Sequence, residues 1–307
     1  MTGERTGSAV GAAMARAAGE WAGRDRVEIS YLMHQRANEF IEIMKGYHFD
    51  HARYTRAEAG RVRPLMIQFY SLMYKGDFLY EQAQREGRST ITDHSWKREM
   101  IELVRSHRAW DAGVARNIEE LERYYILEGR VQLGEVELTE EVFREVNVIR
   151  SAVIDAMVRV LNNIKGVRND EALYSLLVPF MLFLEVADDV RTYGPDVAED
   201  SFNSLRLFVR MHGRDAARQK MREYLAGVVE EAVAALRDAP RAALLGIFDM
   251  LLLGDLPRGL ARPVVRVLPR AVLVAVATAV TRLFLVVPEV PEPVAERVRE
   301  PVGTART

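Results

Sequence analysis

Two acidic stretches carry the residues best able to do chemistry. In one, Tyr70-Ser-Leu-Met-Tyr-Lys-Gly-Asp77-Phe-Leu-Tyr-Glu81, the carboxylates of Asp77 and Glu81 stand four positions apart. On a helix that spacing puts both on one face, here of an otherwise apolar and aromatic segment. The other reads Glu185-Val-Ala-Asp188-Asp189-Val-Arg191-Thr192-Tyr-Gly-Pro-Asp196-Val-Ala-Glu-Asp200. Positions 185, 188, 189, 192 and 196 share one helical face, and all five side chains present oxygen. Asp200 lies four beyond Asp196 and can extend the set. The preceding turns, Leu176 to Leu184, are almost wholly apolar, so this helix starts in a core and ends by gathering carboxylates. Like charges at a helix C-terminus repel one another and oppose the macrodipole unless a cation neutralises them. A hard divalent ion such as Mg²⁺ suits the need, because it takes one or two carboxylates and shares substrate phosphates. The plain alternative is a solvated acidic helix end before a Gly194-Pro195 stop.

The elements that must position these groups are helices. From about residue 20 to Pro240, apolar residues recur at three and four, and extended β-branched alternation is nearly absent. The pattern predicts helices over about 28–46, 63–85 (with Pro64 in the first turn), 95–127, 140–165 and 214–238. Thr139 caps the fourth and Gly166 ends it. Asn169 or Asp170 caps a further helix that Pro179 kinks and Gly194-Pro195 stops near Tyr193. Facing each other in a bundle, the helix of Asp77 and Glu81 and the helix of Asp188, Asp189 and Asp196 can hold a metal–diphosphate cluster above an apolar cavity.

The chain has 307 residues, 49% hydrophobic and 28% charged, which suits a folded domain with a sizeable core. A formal charge of -2 excludes a globally basic nucleic-acid binder. The absence of cysteine excludes disulfides, thiol nucleophiles and zinc-thiolate sites, and fits a reducing cytoplasm. Residues 1–25 read as a loose tail without the apolar stretch of a secretory signal. Residues 26–240 form the helical domain. Residues 241–288 then carry six arginines against two aspartates, together with the apolar run Ala271 to Val287, which Arg282 interrupts. The run is too short to span a bilayer and reads as a core helix or an interfacial segment. With its positive charge it suggests peripheral attachment to an anionic membrane. Residues 289–307, rich in proline and charge, read as disordered.

The two acidic stretches resemble the motifs of the squalene/phytoene synthases, within the class I isoprenoid synthases. One motif of that family resembles an aromatic residue, an Asp seven later and another Asp four beyond; Tyr70, Asp77 and Glu81 stand at those offsets. The family's other motif is similar to Gln-x-x-Asn-x-x-Arg-Asp-x-x-x-Asp, and is matched here by Glu185, Asp188, Arg191, Thr192 and Asp196. Arg191 and Asp196 agree, acids replace both amides, and Thr192 replaces the first Asp. The same stretch resembles the Gln-x-x-Asp-Asp-x-x-Asp motif of chain-elongating prenyl synthases through Asp188 and Asp189. The resemblance covers about residues 28–240. It implies a single all-α class I bundle, divergent from enzymes that make squalene or phytoene. It also implies an enzyme, a terpene synthase or prenyltransferase, that uses several Mg²⁺ ions to ionise a C15–C20 allylic prenyl diphosphate. The implied metal ligands are Asp77, Glu81, Asp188, Asp189, Asp196 and Asp200. Arg191, Lys75, Glu185, Tyr70 and Tyr193 are the implied substrate contacts. Arg53, Arg56, Arg61 and Arg63 would close over phosphates, and Tyr70, Tyr74, Tyr80 and Phe183 would line the carbocation pocket.

Each of these has a plainer reading: solvated loop arginines and core aromatics. His48-x-x-His51 with Asp50 reads more readily as an ordinary His pair than as a transition-metal site. Asn169-Asp170-Glu171 with Ser175 reads as a helix cap. The rival function is a non-catalytic isoprenoid- or lipid-binding helical protein whose metal site has decayed at Thr192. A diiron protein is disfavoured because no Glu-x-x-His pair occurs.

Overall fold

The structure, a computed structural model, describes residues 29–50, 52–248 and 265–294. Among these, all regular structure is helical. The helices are α1 Tyr31–Ile43, α2 Arg56–Arg85, α3 Ser95–Ser106, α4 Ala112–Gln132, α5 Glu140–Arg150, α6 Ala152–Lys165, α7 Glu171–Glu199, α8 Ser204–His212, α9 Arg214–Asp238, α10 Arg241–Ile247 and α11 Arg270–Phe284, with a π-helical turn at Gly46–Asp50. Two long helices organise the bundle. Helix α2 packs on α1, α3, α4 and α6, while α7 packs on α5, α8, α9 and α10. Helices α4, α5 and α6 contact one another and join the two halves. The core is continuous, and its largest buried side chains include Trp96, Tyr70, Tyr80, Tyr125 and Tyr193.

Several helix limits differ from the pattern for physical reasons. Helix α2 begins at Arg56, because Thr55 and Glu58 form a reciprocal capping box that satisfies two N-terminal donors. Pro64 therefore lies inside the helix, not in its first turn. The expected helix over 95–127 is two. Arg108 turns the chain in the left-handed region (φ 56), and the Asp111 carboxylate caps α4 through the Val114 N–H at 2.8 Å. The expected helix over 140–165 breaks at Ser151, whose hydroxyl donates to Glu185 at 3.1 Å. Thr139, Asp170 and Gly166 cap as expected.

Gly194-Pro195 does not stop α7. The proline removes one N–H and orphans the Arg191 carbonyl, but residues 191, 194 and 195 are exposed, so water can serve that carbonyl. The helix ends only at Asp200, in the left-handed region (φ 56), where the Ser201 N–H closes on the Asp196 carbonyl at 2.8 Å.

Residues 289–294, expected to be disordered, are packed. Val290 is fully buried, and Arg218 and Arg214 of α9 donate to the carbonyls of Val290 and Pro293, each at 2.8 Å. Backbone carbonyls here give the α9 arginines acceptors, and the valine fills the core beneath. The tails 1–25 and 295–307 and the Leu251–Leu253 run lie outside the described residues.

Candidate functional site

Both acidic stretches come to one end of the bundle, around a guanidinium. Arg150 is the last residue of α5, where a cation suits the helix C-terminus. Its Nη1 donates to both carboxylate oxygens of Asp189, at 2.9 and 3.1 Å, and its Nε lies 3.2 Å from Glu185. Asp189 is 3% exposed and is further held by the Ser204 N–H at 2.9 Å and the Ser204 hydroxyl at 2.7 Å. The start of α8 therefore fixes this carboxylate. Burial raises the Glu185 pKa, and Arg150 opposes the rise. The ring of Phe202 stands 5.8 Å from the Arg150 guanidinium carbon.

Opposite these residues stand Asp77 and Glu81 of α2 and Glu128 of α4. Glu81 pairs with Arg85 one turn on, at 3.0 Å. Asp77 and Glu128 accept no hydrogen bond and pair with no cation among the described residues. Glu128 is only 7% exposed. Burial, reinforced by the charge of Asp77, pushes its pKa up to about 8, against the pull of Arg150. Asp77 keeps some surface, but its carboxyl lies deep enough that desolvation, with Glu81, pushes it up to about 7. Two glycines make this wall possible. A Cβ on Gly76 would meet the Trp96 ring at 2.8 Å, and one on Gly129 would meet Gln84 at 3.2 Å. Their bareness lets α3 and α4 close on α2 on either side of Asp77 and Glu128. A cleft of about 200 Å³ opens here, lined by Glu81, Gln84, Glu128, Gln132, Asp200 and Phe202, with Arg85 and Ser201 completing its rim.

The expected ligands divide between this site and elsewhere. Glu185 and Asp189 pair with Arg150, Asp77 feels its charge, and Glu81 and Asp200 reach the cleft, Asp200 while pairing with Arg206 at 2.9 Å. Asp188 and Arg191 are exposed. Asp196 accepts from Thr192 Oγ1 at 2.6 Å and from Asn203 at 2.8 Å, so the departure at Thr192 ties up the next acid along the helix. Among the described residues, no three acids or histidines stand close enough to share a metal ion as the side chains are placed.

Three substrate contacts implied by the family resemblance stand away from the cleft. Lys75 is 3% exposed and bonds Glu99 of α3 at 3.0 Å, because its position faces α3 and not the cleft. Tyr70 is fully buried against His48, with its hydroxyl 2.6 Å from Nε2. Tyr193 is buried and accepts the Val294 N–H at 3.2 Å. His48 is buried among aromatic rings, and burial pushes its pKa down to about 3. His51 lies outside the described residues. Arg63 binds Asn38 and Glu42, joining α1 to α2.

Reading residue spacing missed Arg150 and Glu128. Neither belongs to a motif in its own helix, and what makes each special is a neighbour on another helix. The one local signal is Glu128-Gly129, an acid beside a glycine on an apolar helix face.

No protein-family model matches this chain, and neither the curated proteins nor the solved structures include a match.

Proposed function

We propose that the cleft between α2, α4 and α7 binds Mg²⁺ together with the diphosphate of an allylic prenyl substrate, as in class I isoprenoid chemistry. The observation that carries this reading is the charge count after pairing. Arg150 is consumed by Asp189 and Glu185, and Arg85 by Glu81. Asp77 and Glu128 are left as a pair of hard oxygen donors with no cation of their own among the described residues. A dication would replace the protons these two carboxyls otherwise retain. Asp77 and Glu128 would hold it together with the substrate's phosphate oxygens, with Glu81, Glu185 and Asp200 at the margins. When bound, it would supply charge stabilisation to the departing diphosphate. Asp189 and Glu185 fix Arg150, whose charge still reaches Asp77 and Glu128, and Arg85 at the rim would have to leave Glu81 to meet phosphate oxygens. Phe202, which lines the cleft, is the aromatic surface it offers to an apolar chain. The substrate class rests on the resemblance in motif spacing.

A second reading has its own observation. Arg150 already pairs with Asp189 and Glu185 and lowers the pKa of Asp77 and Glu128, and Thr192 binds Asp196. A protein that had replaced its metal by an internal guanidinium would have this arrangement and would bind lipid without turnover.

Incubation with geranyl, farnesyl and geranylgeranyl diphosphate, with and without Mg²⁺, separates the two. The catalytic reading expects Mg²⁺-dependent diphosphate release that Asp77→Asn and Glu128→Gln abolish while remaining folded. A folded wild-type chain that releases none from any of the three leaves the non-catalytic reading in its place.

A further inference from the structure

We propose that the outer face of α11 and the arginines at its start form a docking surface for an anionic lipid bilayer. Two observations on the same surface carry this. The first is an apolar face. Helix α11 buries Leu273, Ala277 and Thr281 against α9 and α10, yet its opposite side is apolar too. Val272, Val276 and Leu283 are exposed at helical spacing, and Phe284 and Val286 continue the patch at its end, with Leu283 78% exposed. A helix apolar all round is normally enclosed, and a contiguous exposed patch of this kind marks an interaction site. Its one charged residue within this stretch, Arg282, is turned away onto Glu230 of α9 at 3.0 Å.

The second observation is an arginine collar. At the junction of α9, α10 and α11, Arg270 donates to the carbonyls of Arg237 and Ala239, and Arg241 donates to those of Arg266 and Leu268. These bonds bring the guanidinium groups of Arg241 and Arg270 onto the backbone of residues 237–239 and 266–268, where Arg237 and Arg266 are exposed. A carbonyl accepts a hydrogen bond without cancelling charge, and no carboxylate among the described residues pairs with any of the four. Asp238, in the same turn, offsets one of them. Three positive charges then remain beside the apolar face, and the positive end of the α11 dipole adds to them. Positive charge fixed at the end of an exposed apolar helix complements a lipid headgroup layer: the arginines meet phosphates, and the valines and leucine enter the acyl boundary. Among the described residues no helix is long and apolar enough to cross a bilayer, so α11 would lie along the surface.

The test uses the full chain and sedimentation with vesicles of phosphatidylglycerol and phosphatidylcholine in equal parts, against phosphatidylcholine alone. Wild type is expected to partition onto the anionic vesicles at low salt and to come off at high salt. Arg266→Gln should weaken partition about fivefold, the loss of one cation near the surface. Val276→Glu with Leu283→Glu should abolish it while circular dichroism stays helical. The proposal is overturned if folded wild type ignores anionic vesicles at low salt, or if either variant binds as wild type does. It is equally overturned if the double variant only breaks a self-association seen by sedimentation velocity, since a second copy would then be what covers the face.

Discussion

The acidic cleft and the arginine collar both hold more charge of one sign than their surroundings cancel, and they absorb it in different ways. In the cleft the excess is buried. Asp77 and Glu128 respond by holding protons into the neutral range, with values near 7 and 8. At the collar the excess is at the surface. Guanidinium groups do not shed their protons near neutrality, so that charge persists until an anion meets it. A buried imbalance is therefore a switch that protons or a metal can throw, and an exposed one is a standing attraction. The comparison also separates two kinds of arginine. Arg150 is spent on two carboxylates inside the fold, whereas Arg241 and Arg270 bond carbonyls and keep their field.

Removing Arg150 should have the largest effect. Arg150→Met strands Asp189 and Glu185 without their cation, and breaking a buried pair in this way costs about 3–5 kcal/mol. Urea unfolding measures it, and Asp189→Asn in the same chain should restore part of the loss. If Arg150 stands where a dication can stand, millimolar Mg²⁺ should stabilise Arg150→Met more than wild type. A loss below about 1 kcal/mol would mean that water, not Arg150, neutralises these acids.

Gly76→Ala comes next. The new Cβ would meet the Trp96 ring at 2.8 Å, so α2 or α3 must shift. Overpacking of this kind costs about 1–3 kcal/mol, less the roughly 1 kcal/mol that alanine returns as a helix former. The shift also moves Asp77, so Mg²⁺ binding should weaken along with thermal stability. Stability lost with metal affinity intact would show that Asp77 tolerates displacement of its helix.

How far the sequence disclosed this molecule depends on the reach of each interaction. The carboxylate faces of Asp77 with Glu81, and of Glu185 with Asp189, were legible because helical spacing is a local property. The Thr55–Glu58 capping box was equally local, yet Pro64 drew the expected start of α2 inward from Arg56 to Arg63. The breaks at Asp111 and Ser151 were harder. Each replaces a continuous helix by a turn whose benefit lies elsewhere, as when the Ser151 hydroxyl reaches Glu185. The partnership of Arg150 with Asp189 spans 39 residues of chain, and Glu128 acts on Asp77 from a different helix. No spacing rule reaches across those distances. Lys75 failed for the opposite reason: it neighbours Asp77 in sequence but faces α3.

The pH dependence tests the cleft's side of the comparison directly. The folded pKa values of Asp77 and Glu128 lie above their unfolded values. The stability they contribute is thus fully present below about pH 4 and is lost as pH rises through 7 to 8. Without metal, the chain should lose on the order of 5 kcal/mol between about pH 5.5 and about pH 8.5 from these groups. Glu128→Gln should flatten that slope. Mg²⁺ should bind more tightly as pH rises over the same interval, since the proton and the dication compete for the same oxygens. A stability curve unchanged by Glu128→Gln would place the titration on other groups.

The smallest effect on stability, and the sharpest on the metal reading, belongs to Thr192→Asp. The substitution removes the 2.6 Å bond from Thr192 to Asp196 and puts a carboxylate one turn from both Asp188 and Asp196. Like charges at that spacing destabilise by about 0.2–0.5 kcal/mol each, so the metal-free protein should unfold only slightly earlier. With Mg²⁺ the sign should reverse. Asp196 is released toward the cation, the acidic face of α7 gains a ligand, and the melting temperature should rise above that of wild type under the same conditions. Mg²⁺ titration by calorimetry should show tighter binding as well. If added Mg²⁺ leaves the variant no more stable than wild type, this end of α7 does not take part in holding a cation. The metal would then belong to Asp77 and Glu128, and α7 would serve the cleft only by fixing Arg150.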